Sequence, residues 1–359
     1  MERIRRLRER FHDLDVDGMM IINPWNMIYM SGFTGSNGVI LISETEAKLI
    51  TDYRYFDQAH EQAVDYEIVL HAGHTGHKGR IYEEVAVQVK EMKISKLGFE
   101  QDHLTYGLFS KNKDNLSAEL VPTSGVVEKL RRIKSKDEIE KLKFAAEVAD
   151  KAFEHILTIA RPGIRELDIS DALTSVIKEH GCTNTAFPPT VASGYRGALP
   201  HGRASEKIIE KGDMITIDFG ANYKGYWSDI ARTIAVGEPA PELRKVHDVV
   251  LTSFRNCVAG IRPGLTDQEV DALMRENIIK NGYNDYSGPG TGHGIGIEIG
   301  EDPYFSVLKD KVLEENMVIT VEPGIYLKGL GGARVEDVLL VTKDGCESFN
   351  PSTKELLIL

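Results

Sequence analysis

Positive charge is scarce in this chain. It carries 43 Lys and Arg against 55 Asp and Glu over 359 residues, a formal net charge of −12. A nucleic-acid surface needs a basic patch to meet phosphates, and so acidic a chain has little to build one from. Cysteine is scarce too. Cys182, Cys257 and Cys346 are odd in number, far apart, and form no Cys-x-x-Cys pair. That argues against a disulfide framework and for a reducing compartment with buried or spare thiols. No stretch approaches the ~20 apolar residues of a membrane span. The N-terminal MERIRRLRERF is basic but lacks the apolar run of a secretory leader. It reads instead as a short amphipathic helix with Ile4, Leu7 and Phe11 on one side. A cytoplasmic setting, with neither membrane nor nucleic acid as partner, is the expectation.

What is present suffices for a large core and two domains. Residues 1–127 read as an α/β domain. GMMIINPWNMIYMSGF offers a strand, a Pro-Asn break and a second apolar run, and GVILISETEAKLITDYRY offers two strands joined by a polar turn. IYEEVAVQVKEM reads as a helix and KLGFEQ as a further strand. His71, His74 and His77, three apart in a Gly-rich loop, read as a solvated loop rather than a metal site.

Residues 128–359 read as a second, α+β domain that repeats itself. Ser135 with Glu138 three residues on is a capping-box pattern, predicting a helix to about Ala160. That helix stops at Arg161-Pro162-Gly163, and the helix from Arg244 to Gly260 stops at Arg262-Pro263-Gly264. Each stop precedes a second helix, in which Asp171-Ala172-Leu173 echoes Asp271-Ala272-Leu273. Each half then delivers a hairpin bearing acids. Two half-domains related by an approximate two-fold would bring the hairpins face to face.

The first hairpin, Met214 to Gly237, carries Asp218 and Asp229 in two apolar β-prone runs. If its turn centres between Tyr223 and Lys224, Asp218 lies directly opposite Asp229, with Cβ atoms roughly 4.5–5.5 Å apart. Two carboxylates so close in an apolar setting call for a shared proton or a cation. An ordinary hairpin with one exposed acid is the bland alternative. The second hairpin, Met317 to Val341, places Glu322 and Glu336 where the first has its aspartates. Between the hairpins lies SGPGTGHGIGIEIGED, where Gly290, Gly292, Gly294 and Gly296 leave His293 unobstructed. Asp218, Asp229, His293, Glu322 and Glu336 are hard oxygen donors with one nitrogen, suited to Mn²⁺ or a related ion. Four negative charges exceed the need of one ion and roughly balance two dications with a bridging hydroxide. Such a pair activates water, so hydrolysis is the reaction class that follows.

The Asp218-x10-Asp229 spacing and the GTGHGIG, EPGIY and RVEDVLLV segments resemble the pita-bread metallopeptidases, which include methionine aminopeptidase, aminopeptidase P and prolidase. SGFTGSNG, LITDYRY and ALPHGRAS resemble the proline-specific branch with its creatinase-like N-terminal domain. The resemblance covers nearly the whole chain. It implies a C-terminal pita-bread fold with a pseudo-two-fold repeat, a homodimer, and cleavage of short peptides before proline. It implies two divalent metals, Mn²⁺ with Co²⁺ or Zn²⁺ as alternatives. It makes Glu322 both metal ligand and general base, and gives His201 a role at the substrate carbonyl or the tetrahedral intermediate. Arg334, two residues before Glu336, is expected to touch a metal ligand or a substrate carboxylate; a surface arginine is the alternative. Thr233 is a further candidate to bond a ligand.

Two positions depart from the pattern. Pro289 and Gly300 stand where the family usually carries histidines, four residues before His293 and seven after it. All five metal donors remain, so the expectation is a loaded site that cleaves slowly or takes another substrate. A non-peptidase hydrolase or lyase on the same fold, or a binding module, are the other readings. Glu298, Glu301 and His71 are candidates to stand in at position 300.

Overall fold

The computed structural model describes residues 1–71, 81–306 and 311–359. The chain divides into two compact units, Met1–Arg131 and Arg132–Leu359. His74 and His77 lie outside the described residues, and His71 is buried.

The first unit begins with helices α1 (Glu2–Arg8) and α2 (Phe11–Leu14), whose Ile4, Leu7 and Phe11 are buried as the amphipathic pattern requires. Its six-stranded mixed sheet comprises β1 (Gly18–Ile21), β2 (Val39–Ser43), β3 (Ala47–Thr51), β4 (Glu67–Leu70), β5 (Lys96–Glu100) and β6 (Glu119–Thr123), in the order β4-β3-β2-β1-β5-β6. The apolar run after β1 is not a strand. Asn23 caps it and Pro24 opens it as helix α3 (Pro24–Ser31), because a fixed φ and a missing N–H cost nothing at a helix start. Helices α4 (Phe56–Gln62), α5 (Ile81–Glu91), α6 (Tyr106–Asn112) and α7 (Val126–Arg132) complete the order.

The second unit is built twice over. Helix α8 (Lys136–Ile159) starts on the Ser135–Glu138 capping box and ends at Ala160. It packs with α9 (Glu166–Glu179) on the sheet strands β7 (Thr190–Ser193), β8 (Met214–Phe219) and β11 (Ile230–Ala235), joined at the hairpin tip by β9 (Asn222–Tyr223) and β10 (Tyr226–Trp227). Helices α10 (Pro241–Gly260) and α11 (Asp267–Lys280) pack in a separate apolar core on the second sheet. That sheet contains β12 (His293–Gly294), β13 (Glu301–Tyr304), β14 (Val318–Val321), β17 (Asp337–Val341) and β18 (Cys346–Ser348), with the ribbon β15 (Gly324–Leu327) and β16 (Gly331–Arg334) at its end. Strand β19 (Leu357–Ile358) returns to pair with β11.

The corners after the Arg-Pro-Gly stops match bond for bond. The Gly163 amide donates to Ile209 and the Gly264 amide to Leu313, both at 2.9 Å; Glu166 donates to Lys207 and Asp267 to Lys311, both at 3.0 Å. Gly163 and Gly264 turn those corners at φ of 95° and 92°, a region that suits glycine. The Asp-Ala-Leu echo, by contrast, does not superpose. Aligning α9 and α11 on their N-caps, Arg165 and Thr266, puts Asp171 level with Ala272, and accordingly Asp171 is exposed whereas Asp271 is buried. One residue along a helix is about 100° of rotation, enough to turn a side chain from core to solvent.

Candidate metal centre

The hairpin register differs from the sequence expectation. The turn centres one residue later, on Lys224 and Gly225 at φ 49° and 83°, so Tyr223 pairs with Tyr226. Asp218 therefore lies opposite Ala231, and Asp229 sits diagonally, two residues along. Moving a turn centre by one residue shifts pairing by two, which preserves the face. Asp218 and Asp229 thus still point to one side.

In the second hairpin the register is constant from Val321 opposite Asp337 to Gly324 opposite Arg334, which sets Glu322 directly opposite Glu336. The hairpins meet side by side rather than face to face. Ala231 and Glu336 exchange backbone bonds at 3.4 and 3.0 Å, and the Glu322 amide donates to Thr291 at 2.8 Å. One cross-strand row results: Asp218, Ala231, Glu336, Glu322, Thr291. Directly opposed residues share a face, and Asp229 and His293 stand two residues off the row, hence on that face as well. Ala231, the smallest side chain of the row, stands between Asp218 and Glu336.

Donor atoms of Asp229, His293 and Glu336 lie within 4.8 Å of one another. His293 Nδ1 is 2.9 Å from the Gly294 carbonyl, so it carries the proton and donates there. That leaves Nε2 facing Asp229 and Glu322, each at 3.8 Å. Glycine lets the backbone approach on both sides of His293: a Cβ on Gly292 would collide with the Thr320 carbonyl, and one on Gly294 would lie 2.5 Å from that of Asp302.

The electrostatics alone are unfavourable. Burial raises the Asp218, Asp229 and Glu336 carboxyls, the last two well above the usual range, and repulsion among the acids adds to it. One oxygen of each, Asp218 Oδ1, Asp229 Oδ1 and Glu336 Oε1, is buried without a hydrogen-bond partner. Such orphaned anionic oxygens are costly unless a cation meets them. A set of hard oxygens with one imidazole fits a divalent metal.

Arg334 reaches this cluster from β16. Its Nη1 pairs with Asp218, Nε donates to the Tyr326 hydroxyl at 2.8 Å, and Nη2 donates to the Pro200 carbonyl at 2.8 Å. It is 4% exposed, so the surface-arginine alternative falls. Thr233 exchanges 3.0 Å bonds with the Arg334 backbone, which is where its hydroxyl is engaged. His201, next to Pro200, is exposed and lines a cavity of about 440 Å³ with Pro289, His293, Tyr304, Glu322, Tyr326 and Arg334.

Two supports have no counterpart among the residues expected from sequence. Fully buried Glu166 accepts from the amides and hydroxyls of Ser193 and Ser205 at 2.7–3.1 Å and pairs with Arg196, tying down the loop that carries His201. Asp271 accepts from Thr291 at 2.8 Å and from Arg275, which also donates to the carbonyls of Gly288 and Pro289, holding the loop before His293. Each sits in the first two turns of the second helix of its half. The available signal is an acid there in both halves, with no pattern to say what it holds.

The sequence profile described as metallopeptidase family M24 matches residues 140–343, and that of the creatinase/prolidase N-terminal domain matches residues 3–133. The chain is similar to the solved structure of an Xaa-Pro dipeptidase from Bacillus anthracis, 53% identical with a TM-score of 0.96 over 100% of this chain and 99% of that one. It is similar also to the X-Pro aminopeptidase structure from Thermotoga maritima, 35% identical with a TM-score of 0.91 over 99% of each. An Xaa-Pro dipeptidase of Pyrococcus furiosus is 37% identical over 99% of both chains.

Proposed function

The chain belongs to metallopeptidase family M24, and from that premise we propose that it hydrolyses, with divalent metal, the bond between an N-terminal residue and proline. The observation that carries the site assignment is the single face of donors with three buried oxygens lacking partners. Asp218, Asp229, His293, Glu322 and Glu336 would hold two divalent cations, Mn²⁺ by the hardness of the donor set. When bound, they supply an activated water and charge stabilisation for the tetrahedral intermediate.

The chain's own residues do the rest. Glu322, whose side chain is 25% exposed against 8% or less for Asp218 and Asp229, is the acid that meets the cavity and takes the proton from the attacking water. His201, on the cavity wall, donates to the substrate carbonyl. Arg334 positions Asp218 and, through Pro200, the neighbouring His201. The bond before proline is a tertiary amide, so a pocket shaped to the pyrrolidine ring selects it. A cavity of about 440 Å³ is of the size that takes a small ligand.

No observation among the described residues favours the non-peptidase or binding-module readings. A cytoplasmic homodimer completes the proposal; no described helix is long and apolar enough to cross a membrane, and light scattering tests the dimer. The activity test offers Mn²⁺-loaded protein Ala-Pro and Ala-Pro-Ala together and follows products by mass spectrometry. Free proline marks a dipeptidase and Pro-Ala an aminopeptidase. Neither product, with two metals bound per chain, overturns the reading.

A further inference from the structure

Position 300 has no side chain, yet the space beside it is filled. A Cβ built on Gly300 would stand 3.0 Å from the Tyr304 hydroxyl oxygen, 3.5 Å from its Cε1 and 3.7 Å from its Cζ, and Tyr304 supplies all three nearest neighbours. We propose that Tyr304, resting on the Xaa-Pro hydrolysis reading above, is a catalytic residue of this enzyme: its phenol donates a hydrogen bond to the scissile carbonyl oxygen, from the place a side chain at position 300 would occupy.

Three observations support this role. Tyr304 is the cross-strand partner of His293 in the β12–β13 pair, so the two side chains share the metal-cluster face, with ring centroids 6.1 Å apart. It lines the cavity together with His201, His293 and Glu322, and at 51% exposure it is within reach of a ligand there. Glu301, a nearer acid in sequence, is buried and committed to Lys134 at 3.2 Å and to the Glu298 amide at 3.1 Å. A neutral phenol is a good donor to an oxygen that gains negative charge in the transition state, and no proton need leave it.

The geometry also dictates the test. Tyr304→Phe removes only the hydroxyl. Gly300→Ala removes nothing, but its methyl would press at 3.0 Å on the hydroxyl end of Tyr304, shifting it by a few tenths of an ångström, and would meet no other group within 3.5 Å. With Mn²⁺-loaded protein and Ala-Pro or Ala-Pro-Ala, Tyr304→Phe should lower kcat by about 10²-fold, as loss of one oxyanion donor does, with KM within about twofold. Gly300→Ala should reproduce part of that loss by displacing the hydroxyl, and the double variant should be no slower than Tyr304→Phe alone. Metal content and Tm should match the parent throughout, which separates a lost donor from a damaged fold. Unchanged kcat in Tyr304→Phe, or additive losses in the double variant, overturns the proposal while leaving the peptidase reading standing. A parent enzyme that cleaves neither peptide removes both.

Discussion

The two halves of the Arg132–Leu359 unit solve one problem with different geometry. Each delivers two acids on a hairpin, and each ties the corner after its Arg-Pro-Gly stop with the same backbone bonds. Yet the first half turns on two residues and sets Asp218 and Asp229 diagonally, whereas the second turns on Lys328–Leu330 and sets Glu322 and Glu336 directly opposite. What survives the difference is the face. Strand side chains alternate with a period of two, so an even shift in pairing moves a donor along the sheet without turning it over. Where the hairpins join at Ala231 and Glu336, all five donors stand on one side.

The largest test of this comparison removes one acid from each half. Asp229→Ala and Glu336→Ala should each lower kcat/KM by about 10³-fold or more, since metal charge stabilisation is worth several kcal/mol. Bound metal, measured by plasma mass spectrometry, should fall with them. A near-silent substitution in either half breaks the picture of a shared site.

The halves also differ in their long helices. Aligned on the C-caps Ala160 and Ile261, buried Ala146 stands level with buried His247, whose ring nitrogens have no hydrogen-bond partner. Burial pushes the His247 imidazole down to about 4, with Arg255 acting the same way and Asp248 and Glu355 against it. A histidine unfolded titrates near 6.5, so below that pH the unfolded chain binds the extra proton and stability falls until about pH 4. The loss from this group is about 3 kcal/mol across that window. In urea melts of metal-free protein from pH 7 to 4 the raised Asp218, Asp229 and Glu336 carboxyls act in the opposite sense. The His247 loss is therefore read as the difference between parent and His247→Leu, whose slopes should differ by up to one proton.

A smaller effect tests the bond between halves. Arg334→Met cuts the contact from the second hairpin to Asp218 and should weaken metal binding by about 10–100-fold, read by competition with a chelator. The smallest concerns the turns. Gly225 and Gly329 share φ of 83°, with nothing within 4 Å of an added Cβ. Alanine at either should cost the same, about 1 kcal/mol of left-handed strain, in thermal melts. Unequal costs would show that the two turns carry different loads.

Much of this architecture is legible in the amino-acid sequence alone. The apolar runs of MITID and MVITV are β-prone with acids at their ends, Ser135 and Glu138 are a cap whatever follows, and Pro-Gly ends a helix in both halves. Those signals are local: propensity, capping and period act within a few residues. The turn of the first hairpin lies one residue beyond its expected place because Asn222, Lys224 and Gly225 offer competing centres. Neighbouring bonds outside the hairpin, such as Trp227 to Gly296 and Ala186 to Gly220, accompany the observed register. The Asp-Ala-Leu echo misleads for a related reason. Three matching letters do not outweigh the burial of Ile169, Leu173 and Ile177 against Val270, Met274 and Ile278, which sets the rotation of each helix.

By itself, then, the sequence determined which atoms are available to this site and which face of each strand they occupy, because donor chemistry belongs to the residue and alternation belongs to the backbone. Only the tertiary structure decided that Arg334 would clasp Asp218, 116 residues away, that Glu166 and Asp271 would each hold a loop, and that Tyr304 would fill the space beside Gly300. Except for Tyr304 beside Gly300, four residues apart in one stretch, those contacts join segments that no local pattern relates. They exist because closing the two sheets against their helices buries polar groups that must then find partners, and the partners are whichever side chains the packing has brought within reach.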